Sequence, residues 1–370
     1  MPQATVPFFQ KLKYFDVPLL IVSGLLLLIG LALQYAVSVS GDTMEIFYRQ
    51  LIFSIGGIIL FLLFASYNYH KLAKLNRIAY IILILSLIYL LVFGDPIRGA
   101  SGWIELGFFN LQPAELAKII IILGLARWLY LNRGQINTWK NFGTTFLYTA
   151  IPATLIFLEP DLGSAVIVMG IWFGMMLISP LKKYYIVIFV IFALVFAGAS
   201  WQFLLKDYQK NRVEVFLNPD KDPKGKGYNV RQAIIAVGSG EMFGRGLGRG
   251  LQSQLKFLPE RQTDFIFASA AEEIGFAGTS VILTLFFVLF TRLIRIMRYA
   301  RDDLAMYITG GIFFLFVIQV CANIGINLGL LPVTGIPLLF ISYGGSSLMV
   351  TCIALGIAQN VARQSKALRF

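Results

Sequence analysis

Long apolar runs separated by short polar stretches dominate the chain, and about ten of them are long enough to cross a bilayer as helices or nearly so. They cover residues 17–39, 51–65, 78–93, 113–131, 144–158, 164–179, 184–205, 265–290, 305–328 and 346–361. The pattern predicts an all-α integral membrane protein of about ten transmembrane helices, with one large outer loop, residues 206–263, between the seventh and eighth. The first run is longer than a signal-peptide core and lacks a small-residue cleavage site, so it reads as a retained span. No repeat, linker or low-complexity tract divides residues 1–370, which read as a single polytopic membrane domain containing that loop.

Composition excludes an ordinary soluble domain: 58% of the 370 residues are hydrophobic and 14% are charged, and the mean hydropathy is +0.76. The net charge of +12 is mostly topological, because cations recur at alternate connections. Lys11 and Lys13 precede the first run; Lys71, Lys74 and Arg77 follow the second; Arg127, Arg133 and Lys140 the fourth; Lys182 and Lys183 the sixth; Arg292, Arg295, Arg298 and Arg301 the eighth. Arg363, Lys366 and Arg369 close the chain, whereas the short loops of the other side carry only Arg49 and Arg98. Cations are retained on the cytoplasmic side, so both termini are expected there, in a multi-pass protein. No nucleic-acid motif accompanies the charge, and no nucleic acid is expected as a partner. Cys321 and Cys352 fall in apolar helices and read as small buried residues.

The one long polar segment ends in Leu258-Pro259-Glu260-Arg261-Gln262-Thr263-Asp264-Phe265-Ile266-Phe267. Asp264 fits two roles there: a cap for the helix that follows, or a functional carboxylate where that helix begins. The longer stretch from Gln252 through Arg261, then Thr263 to Phe267 and Glu272-Glu273, resembles the signature of the SEDS membrane proteins. These are the cell-wall polymerases of shape, elongation, division and sporulation, and Arg261 after Pro-Glu is most similar to the RodA branch. In that family the acidic residue matching Asp264 is the proposed catalytic carboxylate. Gln262 stands where a His is frequent, so no proton relay is read into it.

Other polar stretches match the family as well, and each also has a purely structural reading. Arg49 sits before the second run, either beside Glu45 or facing an anionic group. Trp103 lies in a Gly-Ala-Ser-Gly-Trp stretch in which Gly102 replaces a common Arg, with Arg98 as a substitute cation. Pro113 opens the fourth helix and puts Glu115 and Lys118 on one face at i and i+3, where an intramembrane pair is either a packing device or functional. The corner Glu159-Pro160-Asp161-Leu162-Gly163 offers a turn with a cap, or carboxylates for a hard cation. Within the basic long loop, residues 228–240 read as a short amphipathic helix ending at glycine, and Gly244-Arg245-Gly246-Leu247-Gly248-Arg249-Gly250 as a flexible loop or a phosphate cradle. Pro332 to Pro337 and Ser342-Tyr343-Gly344-Gly345 predict irregular, re-entrant backbone before the last helix.

The resemblance implies a peptidoglycan glycosyltransferase, multi-pass in the bacterial cytoplasmic (inner) membrane, that joins lipid II units on the outer face during cell elongation. It releases undecaprenyl diphosphate and works with a class B penicillin-binding protein, a transpeptidase. Asp264 is the expected catalytic residue. Arg49, Trp103, Glu115, Lys118, Arg245, Arg249, Glu260, Arg261, Ser342, Gly344 and Gly345 are the expected substrate contacts, and a divalent cation, Mg or Mn, is a candidate companion of the diphosphate. The competing readings are a flippase for lipid-linked sugars, which predicts charges at the bilayer midplane on broken helices, and a non-catalytic cell-wall scaffold.

Overall fold

The apolar runs fall on helices in the computed structural model, which describes residues 15–40, 44–94, 102–105, 107, 110–203, 210, 214–216, 218, 222, 225–250 and 257–366. Helices α1 (Val17–Ser40), α2 (Met44–Ser66) and α3 (Tyr69–Phe93) come first. A small antiparallel ribbon follows, β1 (Ile104–Glu105) with β2 (Asn110–Leu111), in which Ile104 faces Leu111. Then come α4 (Pro113–Leu131), α5 (Trp139–Leu158), α6 (Leu162–Ile178) and α7 (Lys183–Phe203). The expected loop contains α8 (Lys226–Ser239), and the chain finishes with α9 (Ile266–Arg298), α10 (Asp303–Asn327) and α11 (Gly345–Lys366). Among the described residues, α1, α2, α3, α5, α9, α10 and α11 are the 7 helices long and apolar enough to cross a membrane, and α6 is apolar but shorter. The chain is thus a helical integral membrane protein. Ile82, Leu85 and Phe287 stand exposed on such helices, as side chains do where lipid replaces water.

Helix starts follow local chemistry. Pro113 occupies the first turn of α4, Thr138 caps α5, Asp161 accepts from the Ser164 N–H at 2.9 Å to cap α6, and Asp302 accepts from Ala305 N–H at 2.8 Å to cap α10. Two starts correct the apolar reading. α2 begins at Met44 rather than 51, so Arg49 lies on the helix and not in a loop; its guanidinium meets Glu45 one turn back at 2.6 Å, the spacing that supports a helix. α3 begins at Tyr69, capped by Asn68, so Lys71, Lys74 and Arg77 ride on its first turns. Hydropathy alone misses such polar first turns.

α10 is the central element, packed against α4, α6 and α9, while α2 lies tightly along α11. Small residues permit that last contact: a Cβ on Gly57 would meet Cys352 Sγ at 2.8 Å, and one on Gly356 the Phe61 carbonyl at 2.6 Å.

α9 is broken at Gly275, whose φ of 66° and ψ of −170° suit glycine alone. The backbone groups freed by the break are taken up by the turns that follow α8. Arg245 and Gly246 N–H donate to the Glu272 and Glu273 carbonyls at 3.0 and 2.9 Å, and Phe276 and Ala277 N–H donate to Glu241 and Met242, both at 2.9 Å. Broken helices persist in membranes only with such repair. The approach is close enough that a Cβ on Gly244 would stand 2.3 Å from the Glu273 carbonyl oxygen. The Gly-rich stretch expected to be a flexible loop or phosphate cradle is therefore a strap on α9, with the Arg245 and Gly246 N–H groups already used.

Candidate active site

The end of the bundle opposite the arginines of α9 is built around irregular backbone. Between α10 and α11 the chain runs unwound through Leu338, Leu339, Phe340 and Ile341, all buried, so its polar groups need internal partners. Buried side chains from three helices supply them. Gln34 of α1 donates to the Gln262 and Ile341 carbonyls at 3.0 and 3.1 Å. Gln50 of α2 donates to the Ser342 carbonyl at 3.2 Å and accepts from Gly344 N–H at 3.4 Å. Gln319 of α10 donates to the Pro337 carbonyl at 3.0 Å and to the Ser347 hydroxyl of α11 at 3.4 Å. Asn323 donates to the Ile336 carbonyl at 2.7 Å.

The same residues fix the turn bearing Asp264. Its main-chain carbonyl accepts from Asn323 at 2.9 Å and from Asn327 at 2.8 Å, and the Asn327 side-chain Oδ1 accepts from Ala268 N–H at 2.9 Å. The Ser342 hydroxyl donates to the Thr263 carbonyl at 2.6 Å and accepts from Leu338 N–H at 2.8 Å, while Tyr343 N–H donates to the Gln262 carbonyl at 2.7 Å. Asp264 itself is half-buried, and a Cβ on Gly335 would stand 3.8 Å from its Oδ2. Phe265, not Asp264, occupies the cap position of α9, and it makes no side-chain cap. The capping role open to Asp264 in the sequence is not the one it takes.

Glu115 and Lys118 do pair inside the bundle. Lys118 Nζ lies 2.6 Å from Glu115 Oε1, with side-chain exposures of 1% and 5%, and reaches Gln319 Oε1 at 3.4 Å. The pair is thereby joined through Gln319 to the unwound segment and to α11. Ser342 is buried, Gly344 binds Gln50, and Gly345 opens α11 against Phe53. Glu260 holds a left-handed φ of 50° and accepts from the Thr263 hydroxyl at 3.0 Å.

Three of the expected contacts have partners within the protein. Arg261 is 7% exposed and turned inward, where its charge is set against Glu273 and Glu272 of α9, and it donates to the Val37 carbonyl at 3.5 Å. Burial lowers its pKa and the two glutamates raise it. The side chain belongs to a buried ionic cluster behind the Asp264 turn, not to the exposed surface with Arg249. Arg245 is exposed, but its Nε donates to the Ser239 carbonyl at 3.2 Å and closes α8. Arg49 joins Glu45 and also reaches the Tyr343 phenol. Trp103 is half-buried beside β1, and Arg98 and residues 206–209, 211–213 and 251–256 lie outside the described residues.

The 159–163 corner closes the site on its other side, since a Cβ on Gly163 would meet the Thr334 carbonyl at 2.5 Å, next to Gly335. Asp161 is committed to the α6 cap and to Gln112, which donates to it at 2.9 Å. Glu159 is 0% exposed, neither of its oxygens has a hydrogen-bond partner, and Gly102 packs on it, a Cβ there lying 3.2 Å from Oε2. Burial, and then Asp161, push its pKa up to about 8. The pair does not suit a metal, and no group of three or more His, Cys, Asp or Glu converges among the described residues. Because the folded-state pKa is raised, the protein loses stability as pH climbs from the unfolded value near 4.5 through about 8. Glu159→Gln is expected to raise the melting temperature at pH 8–9, because a carboxyl that burial keeps protonated costs about 1.4 kcal/mol for each pH unit above its unfolded pKa. At pH 4 the substitution should leave the melting temperature unchanged. Equal melting temperatures of variant and wild type at both pH values would rule out a buried protonated Glu159.

Buried polar groups gathered under a carboxylate at one end of a helical bundle define a polytopic membrane protein with a built site at one membrane face. Comparison with known proteins makes this specific: the FtsW/RodA/SpoVE family, described as cell cycle proteins, matches residues 11–367, and the chain belongs to it. It is 39% identical over 290 residues to the peptidoglycan glycosyltransferase MrdB of Escherichia coli K12, covering 78% of each chain. Its fold matches a chain from a structure of a peptidoglycan synthase complex that coordinates polymerization and crosslinking, with a TM-score of 0.81 at 29% identity, over 95% of this chain and 98% of that one. It also matches the rod shape determining protein RodA of Thermus thermophilus with a TM-score of 0.71 at 27% identity, over 95% and 97%.

Proposed function

We propose that this chain polymerises lipid II on the outer face of the bacterial cytoplasmic membrane during cell elongation, with Asp264 as the general base. That it is a peptidoglycan glycosyltransferase follows from its family and from the names its relatives carry. The observation that carries the mechanism is the Asp264 turn, pinned through its main-chain carbonyl by two buried asparagines, so that the carboxylate sits at a fixed place beside Gly335. Held there, it takes the proton of the acceptor sugar's 4-hydroxyl as that oxygen attacks the anomeric carbon of the donor. The bond to the lipid diphosphate breaks with inversion. Arg249, Arg245 and Arg49 supply positive charge for the departing diphosphate. A divalent cation belongs to this proposal only as an ion carried by the diphosphate, and no step is routed through it.

The lipid needs apolar cover. A cavity of about 620 Å³ between α5, α6 and α7, lined by Phe146, Phe157, Leu162, Met169, Phe173 and Phe189 among others, starts beside the 159–163 corner, and we assign it to the prenyl chain. Arg292, Arg295 and Arg298 end α9 on the side away from Asp264, and cation retention on the cytoplasmic side supports the proposed orientation, with both termini in the cytoplasm and residues 206–263 outside. With α4, α6 and α7 counted, the proposal has ten spans in one domain. A class B penicillin-binding protein is the proposed crosslinking partner.

The flippase reading retains one observation, the break in α9 beside buried Glu272 and Glu273. That break is closed by the 240–246 strap rather than left facing a cavity, which favours the enzyme. Purified full-length chain incubated with lipid II in liposomes, with and without its penicillin-binding partner, is expected to make long glycan strands. Transfer of intact lipid II across the bilayer without polymer would establish the flippase instead, and inactivity in both assays with the partner present would establish the scaffold.

A further inference from the structure

At the arginine-rich end, away from everything used above, α1, α9 and α11 enclose a cavity of about 380 Å³ lined by Asp16, Arg292, Arg295, Ile296, Tyr299, Ala362 and Ser365. A helix end attracts cations for simple reasons, the macrodipole and the retention of positive charge on one side of the membrane. Neither reason calls for a chamber. Here Arg292, Arg295 and Tyr299 fall at i, i+3 and i+7, so one stripe of α9 turns two guanidinium groups and a phenol toward one space, with buried Ile296 behind them.

The charges in that space do not cancel. Asp16 is the only acid in the lining among the described residues, and Arg292 takes both its oxygens, Nε to Oδ1 at 3.1 Å and Nη2 to Oδ2 at 2.6 Å. Asp16 Oδ1 also accepts from Leu19 N–H at 3.1 Å, capping α1. The aspartate thus holds Arg292 in place as a fixed donor. The Arg295 guanidinium, one turn on and exposed, has no ion pair among the described residues. Opposite, the Ser365 hydroxyl is anchored between the Val361 carbonyl and Arg301 N–H.

What lies above the cavity identifies the occupant. Val17, Ile21 and Leu25 form an exposed aliphatic stripe on α1 starting next to Asp16, and Val281 is exposed on α9 on the same helical stripe as Arg292, three turns away. An anion seated between the arginines would therefore have lipid-facing hydrocarbon beginning at the Asp16 edge of the cavity. We infer that this cavity binds the phosphate headgroup of an anionic phospholipid from the leaflet at the arginine-rich end, with Arg295 as its principal contact and the acyl chains along the α1–α9 seam. Basic pockets between transmembrane helices are suited to such headgroups, and the volume suits a phosphoglycerol group. The inference needs only that the chain spans a membrane, and it stands whether or not Asp264 is the catalytic base.

The test is native mass spectrometry of the full-length protein with phosphatidylglycerol, with phosphatidylcholine of the same chains, and with inorganic phosphate alone. A saturable phosphatidylglycerol adduct is expected, absent with phosphatidylcholine and not competed by millimolar phosphate. Arg295→Gln should weaken it about fivefold, the value of one cation at an anionic surface, while Arg298→Gln, at the same helix end but outside the lining, should leave it unchanged. Equal loss in both variants would mean diffuse attraction and overturn the site. Displacement by free phosphate would overturn the lipid assignment in favour of a soluble anion.

Discussion

Asp264→Asn is expected to lower lipid II polymerisation at least about a hundredfold, the usual contribution of a positioned base, with no change in melting temperature. The two effects separate because the turn that carries Asp264 is pinned through its main-chain carbonyl, which the substitution keeps. Asn323 and Asn327 donate to its carbonyl, and Phe265 occupies the cap position of α9. Asn has the same shape, keeps that carbonyl and takes no proton. Lipid II turnover and thermal unfolding of the same preparation check it. Turnover near the wild-type rate would remove Asp264 from catalysis, and lost turnover with a lowered melting temperature would make it a structural residue. Activity that returns with Asp264→Glu would add to the case for a base, since a carboxylate of a different reach is still a carboxylate.

Much of this arrangement can be read in the chain, and the rest fails for identifiable reasons. Apolar run lengths place the helices to within a residue or two except where polar turns extend them, at the starts Met44, Tyr69 and Trp139 and at the ends Arg298 and Lys366. The Glu115 and Lys118 pair follows from i, i+3 spacing behind Pro113. A polar loop suggests a surface position for Arg261, but loop polarity says nothing about side-chain direction, and its partners Glu272 and Glu273 lie a full helix turn inside α9. The glycines of 244–250 look like a cradle until the break at Gly275 is seen; a single glycine in an apolar run does not announce a break. The stripe Gln319, Asn323 and Asn327 is the clearest omission. Its i, i+4, i+8 spacing in an otherwise apolar helix marks one buried polar face, and that face holds both the Asp264 turn and the unwound segment.

The Glu115 and Lys118 variants carry the largest expected effect on stability. Removing one partner of a buried pair strands the other charge and typically costs about 3–5 kcal/mol, whereas removing both is often nearly neutral. Glu115→Gln leaves an ammonium at 1% exposure with neutral amide oxygens in place of its counter-charge, and Lys118→Met leaves an uncompensated carboxylate. Each single change should therefore lower the melting temperature and polymerisation together. The double change should recover most of the stability. It should not recover activity, because Gln319 loses the Lys118 donor that fixes its Oε1, and with it the fixed orientation of the amide that donates to the Pro337 carbonyl and Ser347. That loosens the segment from Pro337 to Ser342, whose Ser342 hydroxyl fixes the Thr263 carbonyl beside Asp264. Melting temperature and lipid II turnover measured across the cycle separate the possibilities. Additive stability losses would mean that the two residues do not stabilise each other, and full turnover in the double variant would confine the pair to helix packing.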